Sequence, residues 1–371
     1  MSDGPAPPSK PSFAERVDDQ KGHPLAWKKV VKNGVVVGIA GVAIYLVFPS
    51  ITEVLASWPR LSTLKPVWFA LAILFEIGHF TCTFGLQRLA LRTKAWFSVV
   101  TSQLASNAVS LIMPGGAAVG AAVQFRMLAI SGQDTGTTVG GLAAFSLLGV
   151  GGLLALPVFA LPVILVGGPT TSRGLVNAAI IGAVGFVLFA GFGAVVLATD
   201  APLRWCGRFV ERVRNMVLRK RPPLTNLDES LVVQRNLIRG VLGKEWLQAV
   251  LLSAARLALD YLCLLAALRA TGSHPRPSLV LVAYAVAGIV GMIPITPGGL
   301  GIVEASLTGL LVLAGVSTSS AVLATLTYRL ASYWVPLAAG PIAYGVFKLR
   351  YRGHPPNPAE GATALPPPVA A

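Results

Sequence analysis

The chain has 371 residues, 54% of them hydrophobic and only 12% charged, with a mean hydropathy of +0.69. A soluble domain needs more polar surface than that, so the composition reads as a polytopic membrane protein. The net charge of +15 does not argue for nucleic acid, because the basic residues cluster beside apolar spans, as the positive-inside rule describes, where anionic lipid headgroups are their natural partners.

Residues 1–24 are polar and Pro-rich, lack the apolar core of a signal peptide, and read as a disordered cytosolic tail. Trp27, Lys28, Lys29 and Lys32 form an aromatic and basic anchor before a first span at about 33–49. A second span runs from Pro66 to Leu86 and is followed by Arg88, Arg92 and Lys94 without an acid, which places that end in the cytosol. Residues 96–128 are one apolar stretch broken by Pro114-Gly115-Gly116, and each half is too short or barely long enough to cross ~30 Å of hydrocarbon. Spans at 137–166 and 175–198 come next. The 199–244 segment then holds ten Lys/Arg against four acids and reads as a cytosolic loop, part amphipathic helix, lying on anionic inner-leaflet lipid. A span at 245–269 follows it. Residues 279–315 contain Ile293-Pro294-Ile295-Thr296-Pro297-Gly298-Gly299-Leu300-Gly301 and then Glu304, and a last span at 320–347 ends at Lys348, Arg350 and Arg352.

Charge bias then sets the course of the chain. The stretch 96–128 begins and ends inside, whereas 279–315 begins and ends outside, so two re-entrant-type hairpins enter from opposite faces. Lipid cannot satisfy the backbone groups freed at Pro and Gly, so such breaks survive only within protein or along a polar cavity. The two Pro-Gly-Gly triplets stand 183 residues apart, about half the chain. The expected fold is an all-α polytopic membrane protein of about eight membrane segments in an inverted repeat, with hairpin tips meeting near the midplane. The units are a first half at 25–199, the basic segment 200–244, a second half at 245–350 and a disordered tail at 351–371.

The motifs resemble a known family. Asn107, Pro114-Gly115-Gly116 and Arg126, then Pro297-Gly298-Gly299-Leu300-Gly301 with Glu304, then Tyr328-Arg329, Tyr333-Trp334 and Gly340 look like the lysylphosphatidylglycerol synthetase transmembrane-region family, over about residues 30–348. The resemblance implies a stand-alone, flippase-like membrane domain without the soluble aminoacyl-transferase domain. Its implied activity is lipid flipping, with lipid as partner. Where the family pattern has a Gly-Glu pair after the first break, this chain has Gly120-Ala121, so aligning the triplets sets Ala121 against Glu304.

Candidate headgroup-binding residues follow from chemistry and motif together. Glu304 is a carboxylate directly after a broken helix, where it attracts a cation or carries a proton. The Gly298, Gly299 and Gly301 amides open a half-helix that favours phosphate. Arg329 lies about ten residues into the last span, too deep to snorkel, and its fork suits phosphate or Glu304. Arg126, Asn107 and Tyr328 complete the set. Arg256 with Asp260 (i,i+4) and Glu76 with His79 (i,i+3) read as intramembrane pairs that satisfy each other. Gln103 and Asn107, also i,i+4, read as residues that line the first hairpin or bond between helices. Cys82, Cys206 and Cys263 read as packing residues rather than a disulfide framework, and no metal-ligand or cofactor motif is expected. The function expected is translocation of a polar or phosphate-bearing lipid across the bacterial inner membrane, with both termini cytosolic. The alternatives are an integral-membrane lipid-modifying enzyme and a scaffold for envelope synthesis.

Overall fold

A computed structural model describes residues 65–113, 116–166, 173–217, 227–292 and 296–352, and these are helical with no strand among them. The expected tails at 1–24 and from 353, the first span at 33–49 with its basic anchor, and the Pro114–Gly115 and 293–295 positions of the two breaks lie outside the described residues. The helices are α1 (Pro66–Ala90), α2 (Trp96–Ile112), α3 (Gly116–Ile130), α4 (Thr135–Val166), α5 (Arg173–Ala198), α6 (Ala201–Val217), α7 (Leu227–Ala270), α8 (Pro277–Gly291), α9 (Ile302–Leu313), α10 (Thr318–Arg329) and α11 (Val335–Arg350). A 3₁₀ turn at Pro297–Gly299 precedes α9, and a π-helical turn at Leu330–Trp334 joins α10 to α11.

Local chemistry explains most of the ends. Pro66 and Pro277 open α1 and α8, where a missing N–H costs nothing. Before α4, the Asp134 carboxylate accepts from the Thr137 amide at 2.8 Å, and these bonds hold its acid below the ordinary carboxylate range. Helix α4 keeps running through Pro157 and Pro162. Gly182 of α5 faces the Pro157 ring with no room for a side chain.

Among the described residues, five segments are long and apolar enough to cross a membrane: α1, the Thr135–Pro162 part of α4, most of α5, α7 from Glu245 onward, and α10 running on into α11. The backbone of α7 leaves helical geometry at Glu245, which separates its polar first part from its span. The expected loop at 199–244 is thus largely helical, with α6 packed on the start of α7. There Arg235, only 7% exposed, meets Asp200 at 2.5 Å and the Thr199 carbonyl at 3.0 Å.

The remaining apolar helices α3, α8 and α9 have 12–15 residues, and at ~1.5 Å per residue they stop short of ~30 Å of hydrocarbon. They occur in hairpins. Gln124 on α3 bonds Gln103 on α2, and Gly120 stacks on Ser106 and Ser110, so α3 runs back along α2.

The helix pairings repeat with partners exchanged. Helix α1 lies antiparallel against the span of α7: Lys65 bonds Ala270, Gly78 faces Leu259 and Gly85 faces Leu252. Helix α2 runs antiparallel to α11, with Phe97 under Arg350 and Tyr351, Ala108 against Gly340, and Leu111 against Tyr333. In the other half α8 runs antiparallel to α4, with Gly288 on Leu153 and Leu279 beside Ala160. Each unit is therefore a span, a hairpin and a returning span. Since α1 and α7 point in opposite directions, the hairpins that follow them enter from opposite faces. Their tips meet where the second break abuts the Leu111 carbonyl and Tyr333, halfway along the last span.

The α2–α11 contact gives a direct check. A Cβ at Gly340 would stand 2.2 Å from the Ala108 Cβ and 2.9 Å from the Leu104 carbonyl, whereas one at Gly345 would meet nothing within 4 Å. Gly340→Ala is expected to lower stability by about 1–3 kcal/mol. Gly345→Ala on the same helix should leave it unchanged or raise it. Equal thermal midpoints for the two variants in one detergent would contradict this packing.

Candidate functional site

The second break is built around glycines in the left-handed region: Gly298 at φ +58°, Gly299 at +69° and Gly301 at +80°. L-residues with a Cβ adopt this conformation at a cost, and Gly298 has no space for one either, with Tyr333 at 2.7 Å and the Leu111 carbonyl at 2.8 Å from where it would stand. The chain then enters α9, and the Glu304 side chain turns back to accept from the Gly301 amide at 2.7 Å. That is the reciprocal half of a capping box, with a glycine at the cap.

The other Glu304 oxygen accepts from Arg329 Nε at 2.6 Å. The same guanidinium donates to the Gly298 carbonyl at 3.3 Å and lies 4.4 Å above the Tyr333 ring. Tyr333 donates in turn to the Leu111 carbonyl at 3.2 Å, across to the tip of the first hairpin. The π turn starts one residue after Arg329, where the Val335 amide reaches back to the Leu330 carbonyl. Such single π turns occur frequently at functional sites.

Beside this cluster lies a cavity of about 460 Å³. Its lining comes from α1 (His79), α4 (Phe145 to Leu153), α7 (Arg256, Asp260), α8 (Tyr284), the Gly298 turn, α9 and α10 (Tyr328, Arg329). Asp260 accepts from Tyr284 at 2.7 Å and from Tyr328 at 2.9 Å. Arg256 lies 5.3 Å from the Phe145 ring, its Nε buried and without a hydrogen-bond partner. Gly149 leaves it the room, since a Cβ there would stand 3.0 Å from the guanidinium. Both residues sit in the middle of the α7 span, where an ionisable side chain is expensive and usually functional.

Several sequence expectations change here. Arg256 and Asp260 do not form an ion pair with each other: their shared helix face is overlaid by α8 and α10, whose tyrosines take the carboxylate. Nor do Glu76 and His79 pair. The His79 Nδ1 meets the Arg256 carbonyl at 2.9 Å, while Glu76, 5% exposed, turns toward Cys263 and Asp260 and leaves one carboxyl oxygen unpartnered. Gln103 bonds between helices, to Gln87 and Gln124, as one of its two expected roles has it, while Asn107 is half-buried one turn further on and outside the cavity. Arg126 lies away from this site, in a separate groove. The Gly301 amide is taken by Glu304, so the chain's own carboxylate occupies the place expected for a lipid anion. The cavity does not lie between the two hairpins either, because the buried Tyr333 fills the space between their tips and α2 and α3 add nothing to the lining. Among the described residues no three His, Cys, Asp or Glu side chains converge as a metal-ligand set.

A family model described as the lysylphosphatidylglycerol synthase TM region matches residues 35–340. The chain belongs to that family. The match takes in both hairpins, the Glu304–Arg329 pair and the whole cavity lining. A curated relative from Methanothermobacter thermautotrophicus, named UPF0104 membrane protein, is 35% identical over 86 residues, which is 23% of this chain and 24% of its own. The chain thus matches about a quarter of that relative's length. Family and spans together make this a multi-pass membrane protein.

The pair at the break can be tested by a double-mutant cycle. The Arg329 and Glu304 side chains are 11% and 21% exposed, and removing one leaves the other unpaired in a span. Arg329→Met is expected to cost about 3–5 kcal/mol, and Glu304→Gln in addition to recover part of that loss. Strictly additive losses in unfolding midpoints would contradict the pairing.

Proposed function

We propose that the protein moves a phosphate-bearing lipid headgroup between membrane leaflets through the cavity at Arg256. The observation that carries this reading is Arg256: it lines the central cavity deep within a span, and its Nε is buried with no hydrogen-bond partner. A bundle that needed Arg256 only for packing would satisfy that donor, because a buried unpaired donor is costly. A lipid phosphate supplies the missing acceptor in a charge-assisted bond. Arg329 lines the same cavity but is already committed to Glu304 and the Gly298 carbonyl, so Arg256 is the cation left for the phosphate. Asp260 keeps acceptor capacity beyond its two tyrosines, so an amine on the same headgroup has a place to bind.

Movement follows from the repeat. The two units touch through α1 with α7 and through the hairpin tips, and rocking one against the other would open the cavity first to one leaflet and then to the other. The acyl chains stay in lipid throughout. The antiparallel pairings bring Arg88, Lys94, Lys348, Arg350 and the arginines of α6 to one face. The other carries Lys65, Arg173, Arg269 and Arg276. By the positive-inside rule we assign the richer face to the cytosol, with α6 along the inner leaflet of the cytoplasmic membrane. Helix α6 supports this, because it exposes Trp205 and Phe209 alongside Arg204 and Arg208.

The test is lipid scrambling in vesicles that carry the full chain and a fluorescent phosphatidylglycerol, read by dithionite bleaching. Wild type should bleach the inner-leaflet pool. Arg256→Gln should slow this about tenfold, the loss of one charge-assisted hydrogen bond, without lowering the unfolding midpoint. A wild-type rate no faster than protein-free vesicles, or an Arg256→Gln rate equal to wild type, would overturn the proposal.

A further inference from the structure

Glu76 lies in the middle of α1, 5% exposed, and takes no part in the lining of the central cavity. Ala72, one turn earlier on the same face, packs in one buried cluster with Cys263 of α7, Tyr328 of α10 and Ala331 of the π turn. The seam around Glu76 is thus closed by described helices.

Its partners do not suit a permanent charge. The Cys263 thiol, a weak donor, bonds its carboxyl, and its Oε2 has no partner. No described cation pairs with it. Asp260, which it faces, is furnished in the opposite way. The Tyr284 and Tyr328 hydroxyls donate to that carboxylate, and Arg256 stands one turn before it on α7. The other helices against α1 add no charge. Helices α2 and α4 contain no ionisable residue, and the π turn brings only Tyr333, which bonds Leu111. On α1 itself, His79 gives its Nδ1 to the Arg256 carbonyl. Two neighbouring carboxylates in a desolvated seam repel each other, whereas a protonated one can donate to its charged neighbour. The bare Oε2 of Glu76 is the place for such a proton.

Charge links this seam to the cavity. A lipid phosphate at Arg256 brings one negative charge into the bundle, and a proton on Glu76 removes one. The net buried charge stays the same when the two arrive together.

We propose that Glu76 is a proton-binding site, and that one proton enters it with each lipid phosphate and leaves with it. The proton comes from water on the side to which the cavity is open. His79, at the lining and one turn along α1 from Glu76, is its way in. It forms an O–H bond at Oε2, which donates to Asp260 while the lipid is bound, and it returns to water on the other side. The protein is then an electroneutral symporter of a proton and an anionic lipid. This rests on the reading of Arg256 as the ligand of the phosphate.

Two measurements test it. In vesicles carrying the full chain and a trace of fluorescent phosphatidylglycerol, an interior made one pH unit more alkaline should draw the probe inward. The leaflets should come to differ about tenfold, because one coupled proton is worth a factor of ten per pH unit. Glu76→Gln keeps the shape of the side chain but exchanges no proton, and should leave the leaflets even, read by dithionite bleaching. The second measurement is infrared difference spectroscopy of the full chain in nanodiscs. Wild type should gain a carboxylic-acid carbonyl band when phosphatidylglycerol replaces phosphatidylcholine, and Glu76→Gln should lack it. Even leaflets in a wild type that moves lipid, an undiminished difference in Glu76→Gln, or no Glu76 band with phosphatidylglycerol would each overturn the proton site. A wild type that moves no lipid would instead remove the translocation reading, and the infrared band would then decide alone whether Glu76 takes up a proton.

Discussion

A helix that breaks inside a membrane must find partners for its freed backbone groups within the protein, and at the second break one ion pair supplies a partner on each side. Glu304 takes the Gly301 amide on the helix side of the break, and Arg329 donates to the Gly298 carbonyl on the other. The 2.6 Å bond between them ties the two sides together. Because Arg329 belongs to α10, the same pair fixes the second hairpin to the last span. Through Tyr333 it also sets the distance to the first hairpin tip. Charge is costly at this depth, but each charge here replaces hydrogen bonds that the backbone would otherwise lack.

The two hairpins solve the same problem with different chemistry. Where the second uses Glu304, the first has Ala121 in the corresponding place, and its polar contacts are neutral: Gln87, Gln103 and Gln124 bond in a chain, and Gly120 stacks on Ser106 and Ser110. A neutral amide network suits a hairpin that packs closely against α11. The charged break borders the cavity that holds Arg256 and Asp260. An internal repeat has thus diverged into one half with a tight, neutral hairpin and one half with a charged one.

Much of this was legible in the residues. The order of spans and hairpins follows from apolar length and from prolines and glycines, and the opposite insertion of the hairpins follows from the placement of Lys and Arg. Glu304 and Arg329 stand out as ionisable residues inside apolar runs. Contacts made by other helices were not legible. The i,i+4 spacing of Arg256 and Asp260 suggests mutual pairing only if nothing else reaches Asp260, and Tyr284 and Tyr328 arrive from 24 and 68 residues away. The π turn after Arg329 leaves no compositional mark, and Tyr333 gains its role only once the tips meet. Reading 199–244 as a loop that is part amphipathic helix agrees with α6, whose basic and apolar residues alternate at the helical period, but misses the helical start of α7.

The central claim is that Arg256 meets a lipid phosphate inside the bundle. Density for the purified full chain in lipid nanodiscs, prepared with phosphatidylglycerol, tests it most directly. The account predicts a headgroup in the central cavity with a phosphate oxygen within hydrogen-bond reach of the Arg256 guanidinium. A cavity filled only by water at saturating lipid, or a headgroup that stops at the rim while Arg256 turns to pair with Asp260, would contradict it.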